Sequence, residues 1–234
     1  KHFLKIKDNK LAINMLLDAI YTEFAFEISN NFILPVIVTG NIHRNKKFIE
    51  LRSEYDIKIF FGDDQNIPLR HLQASMEYEI DSMMAIDGDD LMISREAMRA
   101  VYKNLLNGAD YISTSGLPLG MNVMGYSSKV LREKTKDLNN GKLDTGWGYI
   151  FDTVSNKINV EFNVPNATAI RATLDYIEDL EFFKKVFNEL NPIEINNSKD
   201  ICDKIISKSL HLINSDLNER YWQNFESQRQ ENVE

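Results

Sequence analysis

The stretch SMMAIDGDDLMIS, residues 82 to 94, places Asp87, Asp89 and Asp90 within four positions directly behind an apolar run. Three carboxylates so close repel one another unless a cation lies among them. Hard carboxylate oxygens, few in number and with phosphates completing the shell, are the ligands of magnesium. A single Asp after a strand ordinarily makes a turn or caps a helix, but Ser94 already supplies a cap for the helical segment that follows, which leaves the carboxylates surplus to the turn. A second acidic candidate is Asp175 in RATLDYIEDLEF. Spacing alone leaves it two roles: an acidic capping box with Glu178, or a carboxylate that meets Asp89 across a crevice. Arg44, Arg70 and Arg171 fall near predicted strand ends. A lone arginine is usually a solvated or salt-bridged surface residue, but three of them here suit a triphosphate clamp.

These residues need a scaffold that brings distant strand ends together. Apolar runs at NNFILPVIVTG, DIKIFFG and SMMAIDG read as buried strands, and LAINMLLDAIYTEF, KKFIELRSEY, PLRHLQASMEYE and SREAMRAVYKNLLNG carry apolar residues at helical spacing. Strands alternating with helices predict a parallel sheet with right-handed crossovers, and ligands of such sheets bind beyond the carboxyl ends of the strands. The second half is less regular. YISTSG, MNVMGYS, NVEFNV and AIRATLD read as strands, SSKVLREKTKDL as a serine-capped helix and EDLEFFKKVFNELN as an amphipathic helix closed by Pro192. SKDICDKIISKSLHLIN and DLNERYWQNFESQRQEN read as two terminal helices. The expected organisation is one α/β domain over residues 1–190 and a helical extension over residues 191–234.

The net charge of -8 and the scattered basic residues argue against a nucleic-acid partner. No apolar stretch is long enough for a bilayer span. The lone Cys202 excludes an internal disulfide and fits a reduced, cytoplasmic setting. The four histidines lack ligand spacing, so zinc is not expected, and neither G-x-x-x-x-G-K-[ST] nor G-x-G-x-x-G is present.

Taken in order, KHFLKI, GDDQNIPLRHLQA, IDGDDL, GLPLGMNVMGYSSKVL and RATLDYIEDLEFF resemble the cytidylyltransferase family of CMP-Kdo synthetases, acylneuraminate cytidylyltransferases and spore-coat polysaccharide synthesis proteins. The resemblance spans roughly residues 1 to 190. It implies a Rossmann-like nucleotidyltransferase fold of three layers, similar to GT-A, with a mainly parallel central sheet. It also implies transfer from CTP to a sugar acid, with magnesium, giving a CMP-sugar and pyrophosphate for surface polysaccharide synthesis. On this likeness Asp89 and Asp175 are the metal ligands, while Lys1 closes a phosphate-binding loop and Arg70 matches the arginine downstream of the Gly-x-x sequence in that region. Asn122, Thr145 and Trp147 fall in sugar-binding segments, and a homodimer is compatible with the reading. The family's glycine- and arginine-containing loop, and the mid-sheet strand leading into it, would precede Lys1. The family's Pro after the acidic pair is Leu91 here.

Two rival functions remain on the residues alone. One is a GT-A glycosyltransferase holding manganese with Asp87-x-Asp89, and the other is a non-catalytic nucleotide- or sugar-binding protein. Asp175 discriminates, because a D-x-D transferase has no need of it.

Overall fold

The computed structural model describes residues 1–136, 142–195 and 197–231, with side chains described as far as Glu226. The order of elements is β1 (Lys5–Lys7), β2 (Lys10–Leu11), α1 (Ala12–Glu23), α2 (Ala25–Ser29), β3 (Val36–Thr39), α3 (Ile42–Asn45), β4 (Lys58–Phe61), α4 (Ile67–Glu77), β5 (Ser82–Ala85) and α5 (Arg95–Leu106). Then follow β6 (Tyr111–Ser115), β7 (Met124–Ser127), α6 (Ser128–Thr135), β8 (Lys157–Glu161), α7 (Ile177–Glu189), α8 (Ser198–Ser207) and α9 (Leu217–Glu231). The expected helix at SSKVLREKTKDL is α6, with positions 137 and 138 outside the described residues. No helix among the described residues is long and apolar enough to cross a membrane.

The apolar runs form strands as expected, but the sheet is more mixed than the crossover pattern predicts. β3 and β4 pair in parallel from Val36↔Lys58 to Thr39↔Phe61. A second sheet has the order β5-β7-β6-β8. Its β7 runs antiparallel to both neighbours, and β6 and β8 are parallel. The reversal follows from the short Gly- and Pro-bearing connection between β6 and β7, which holds no crossover helix.

Alternation along β7 shows how both faces of this sheet are covered. A Cβ on Gly125 would lie 2.6 Å from Val101 of α5, so glycine is what lets that helix approach. Met124 and Tyr126 point the other way, into a second core with Val130, Leu131, Trp147 and Phe151. β5 splits likewise, Met84 facing the main core while Met83 and Ala85 face the second. The sheet thus lies between two apolar layers, which makes the architecture a three-layer α/β fold. α8 and the short 3-10 turn after it share the main core through Ile201, Cys202, Ile205 and Leu210.

Two segments depart from their expected form. KKFIELRS winds as a 3-10 helix. AIRATLD, read as a strand, makes a single bridge from Arg171 to Leu119 and no extended pairing. At that bridge Gly120 has φ +85°, and a Cβ there would sit 2.2 Å from the Ala172 carbonyl oxygen. Only glycine permits that approach, which fixes where the chain leading to Asp175 runs.

His71 is partly buried against the second core, where Nδ1 shares a 2.5 Å hydrogen bond with the Tyr126 hydroxyl and the Trp147 ring meets it edge-on. Burial, with Arg70 nearby, lowers its pKa to about 3. A free histidine titrates near 6.5, so the unfolded chain takes up the proton first as pH falls. The stabilisation from neutral His71 is therefore complete above about pH 6.5 and is lost progressively toward pH 3. We expect roughly 2 kcal/mol to disappear between pH 7 and pH 5. Urea titrations across that range test this, because His71→Gln should flatten the slope; an unchanged slope would show that other groups dominate.

Candidate active site

The carboxyl end of β5 leads into Asp87-Gly88-Asp89-Asp90, where the Asp90 amide bonds the Asp87 carbonyl at 3.1 Å and closes a turn. Ser94 caps α5 through its hydroxyl, 3.1 Å from the Ala97 amide, so none of the three aspartates caps that helix. The segment ending at Asp175 lies alongside. The Leu174 amide donates to the Asp89 carbonyl at 3.0 Å, which ties the two acidic segments together through their backbones.

The two carboxylates meet on one cation. Lys1 Nζ lies 2.5 Å from Asp89 Oδ2 and 2.9 Å from Asp175 Oδ1. Two oxygens at these distances from one nitrogen lie no more than about 5.4 Å apart, against at most about 4.2 Å for two oxygens bound to one magnesium. Lys1 is placed by its neighbours. His2 Nδ1 donates to the Gly88 carbonyl at 3.0 Å, and the Phe3 ring packs 4.9 Å from Phe48. Burial works against the Lys1 ammonium, but Asp89 and Asp175 outweigh it and raise its pKa.

Asp175 is not the helix cap that its spacing allows. That task belongs to Asp179, whose Oδ2 accepts from the amides of Asp175 at 2.9 Å and Tyr176 at 3.0 Å. Glu178 takes no part in those bonds. The signal was present in the sequence: an acid three residues after the N-cap Tyr176 is the reciprocal member of a capping box. Released from capping, Asp175 turns one oxygen to Lys1 and the other to Arg171 Nη2 at 2.7 Å.

Negative charge dominates the site. Water reaches Asp87, yet the walls around it strip much of its hydration, and this with the Asp89 charge pushes its pKa up to about 6. Burial and the charges of Asp87 and Asp89 hold Asp90 well above the usual carboxylate range, against a hydrogen bond with Thr173. Among the described residues no group of three or more His, Cys, Asp or Glu side chains is arranged to hold a metal ion. Asp89 and Asp175 form a two-carboxylate pair with an ammonium standing between them. That donor set fits magnesium, which is commonly held by one or two carboxylates plus phosphates and water.

Beyond the carboxyl ends of β3 and β4 opens a cavity of about 790 Å³ lined by Thr39, Gly40, Arg44, Gln65, Arg70 and Asp144, among others. Arg44 and Arg70 therefore share one wall system. Arg70 Nη1 donates to the Asp63 carbonyl at 3.2 Å, and its Nε is buried with no hydrogen-bond partner. Burial lowers the Arg70 pKa, opposed by Asp63, Asp64, Asp87 and Asp144. Its attraction to Asp87 links the cavity to the acidic centre.

Other expected ligands lie elsewhere. Arg171, grouped by sequence with the phosphate-clamping arginines, is wholly enclosed and holds Asp175 and Asp179 instead. Trp147 is 5% exposed and packs in the second core against His71 and Tyr126. Asn122 spends its amide on the carbonyls of Leu117 and Pro118, which shapes the β6–β7 connection. Thr145 is half-buried next to the cavity residue Asp144.

The chain has relatives in sequence and in fold. No protein-family model matches it. An uncharacterized protein of Methanocaldococcus jannaschii is 25% identical over 201 residues, 82% of this chain and 81% of that protein. Among solved structures, a cytidylyltransferase from Leptospira borgpetersenii superposes with a TM-score of 0.71 at 17% identity, over 92% of this chain and 90% of that one. A nucleotidyl transferase from a Methanothermobacter gives 0.57 at 17% identity, over 80% of this chain and 85% of that one. The 4-diphosphocytidyl-2C-methyl-D-erythritol synthase of Anaerococcus prevotii gives 0.55 at 12% identity, over 80% of this chain and 93% of that one. The three-layer α/β fold with its mixed sheet is similar to the Rossmann-like fold of these nucleotidyltransferase structures.

Proposed function

We propose that the chain is a magnesium-dependent cytidylyltransferase that couples CTP to a sugar acid, giving a CMP-sugar and pyrophosphate for surface polysaccharide synthesis. The observation that carries the reading is the convergence of Asp89 and Asp175 on one cationic position. A transferase built on Asp87-x-Asp89 alone has no use for Asp175, whereas the similarity to a cytidylyltransferase fold over most of the chain favours both aspartates.

In this reading Asp89 and Asp175 hold magnesium, which supplies positive charge to the phosphates. A hydroxyl oxygen of the sugar acid forms a bond to the α-phosphorus of CTP, the bond from that phosphorus to the bridging oxygen breaks, pyrophosphate leaves with the electron pair, and the hydroxyl proton passes to solvent. Lys1, Arg70 and Arg44 orient phosphate oxygens in line. The cavity at the ends of β3 and β4 accommodates the rest of the nucleotide. Among the described strands β3 pairs only with β4 and β5 only with β7. Those two unpaired edges suit the additional strand and phosphate-binding loop of the resembled family, and a homodimer and a cytoplasmic setting accord with the same family.

The test is pyrophosphate release, measured with any coding sequence upstream of Lys1 included in the protein. Release should require CTP, magnesium and a 2-keto sugar acid together. Equal turnover with UTP and an acceptor alcohol, or sugar transfer from a nucleotide sugar with manganese, would replace this function with the glycosyltransferase reading. Nucleotide binding without turnover would favour a binding protein.

A further inference from the structure

Resting on the reading of Asp175 as a metal-holding carboxylate, we infer that Asn214 and Tyr221, from the C-terminal helical segment, are positioning residues that set the Asp175 carboxylate through Arg171 and Asp179. Neither residue touches Asp89 or Lys1, and nothing in the nucleotide reaction as derived above uses them.

Asn214 is 2% exposed and donates from Nδ2 to the Arg171 carbonyl at 3.1 Å and to Asp179 Oδ1 at 2.8 Å. Both neighbours are acceptors, so the amide can stand only in this orientation. Asp179 Oδ1 also accepts from Arg171 Nε at 2.9 Å, and its Oδ2 holds the amides of Asp175 and Tyr176. The same Asp179 carboxylate thus fixes the backbone of Asp175 and the guanidinium that grips the Asp175 side chain. Asn214 anchors that carboxylate and the Arg171 backbone at once.

Tyr221 supplies the remaining restraint. Arg171 Nη1 is buried with no hydrogen-bond partner, but the Tyr221 ring lies 4.7 Å from the guanidinium carbon and the Tyr176 ring lies 5.5 Å from it. Aromatic faces attract a desolvated cation and stop the guanidinium plane from tilting. α9 is linked to the same place a second time, as Asn224 Nδ2 donates to the Tyr176 hydroxyl at 3.2 Å. Residues outside a metal's direct ligands commonly alter affinity or activity by 10- to 100-fold through such orientation.

Hydrogen exchange and kinetics on Asn214→Leu and Tyr221→Leu test the inference; the first keeps the branched shape and removes the donor, and the second removes the π-face together with part of the ring volume. Protection at the amides of Asp175 and Tyr176 should fall by about 10-fold or more while that of Val101 in α5 is unchanged. In parallel kcat should fall by about 10-fold or more, with KM for the nucleotide within roughly threefold. Unchanged protection at both amides, a uniform loss over the whole chain in both variants, or normal kcat despite lost protection would each overturn it. If the wild-type protein transfers no nucleotide under any tested condition, the functional reading fails, and the exchange pattern alone still decides whether these residues fix Asp175.

Discussion

On the proposed reading, Asp89→Asn should lower magnesium-dependent turnover by at least about 100-fold while the melting temperature moves by only a few degrees. The two halves of this expectation have separate origins. Asparagine preserves the shape of the side chain but carries no negative charge, so a cation held between Asp89 and Asp175 would lose one of its two carboxylates. Stability changes little because two effects oppose each other. Lys1 loses a partly exposed partner, a contact of small worth at a surface. At the same time Asp87 and Asp90, both pushed toward protonation in part by the Asp89 charge, are relieved of that repulsion. Asp175→Asn should match the loss of turnover. Near-normal turnover in Asp89→Asn would sink the metal assignment, and normal turnover in Asp175→Asn alone would return the site to Asp87 and Asp89.

What the sequence revealed of this arrangement divides by range. The strands at VIVT, KIFF and SMMA were legible because a covered strand must be apolar throughout, and α5 was legible because Ser94 precedes a regular 3.6-residue period. The acidic turn was legible because three carboxylates exceed what a turn needs. Asp175 was legible only with the family resemblance, since its spacing served capping equally well.

The interior partners were not legible in the same way. In sequence Arg171 reads as a phosphate ligand because a strand-end arginine carries no mark of burial, and its partner Asp179 lies in a helix whose first turn holds another acid, Glu178. The spacing of Arg171, Asp175 and Asp179 at intervals of four residues is a signal that ion-pair reasoning could have used. Asn214 reaches Asp179 from 35 residues away, and no local period encodes such a contact. The AIRATLD segment misled for a related reason. Its apolar alternation reflects packing of Ile170, Ala172 and Leu174 in the main core, whereas its pairing is limited to one bridge because Gly120 brings the chain close only there.

The second large effect belongs to that buried network. Arg171→Ala should destabilise the fold by about 3 to 5 kcal/mol, the usual cost of leaving a buried charge without its partner. Both Arg171 and Asp179 are fully enclosed, so the Asp179 carboxylate would have no water to turn to. An isolated buried pair can often be exchanged for apolar residues with little loss or even a gain. Here that exchange should fail. In the double variant Arg171→Met, Asp179→Leu, the ionic problem is removed, but the amides of Asp175 and Tyr176 lose their acceptor, and the Asn214 amide group keeps only the backbone carbonyl of residue 171. Each such orphaned donor costs on the order of 1 to 3 kcal/mol when water cannot reach it. The double variant should therefore remain at least about 2 kcal/mol less stable than the wild type in urea unfolding, and its turnover should be as low as that of Asp175→Asn, because nothing then holds the Asp175 carboxylate toward Lys1. A double variant as stable as the wild type would mean that the pair stands alone and that the Asp179 carboxylate does not fix the backbone at Asp175. Full stability with lost turnover would separate the two tasks, leaving Arg171 to orient the carboxylate and assigning the support of the backbone to other contacts.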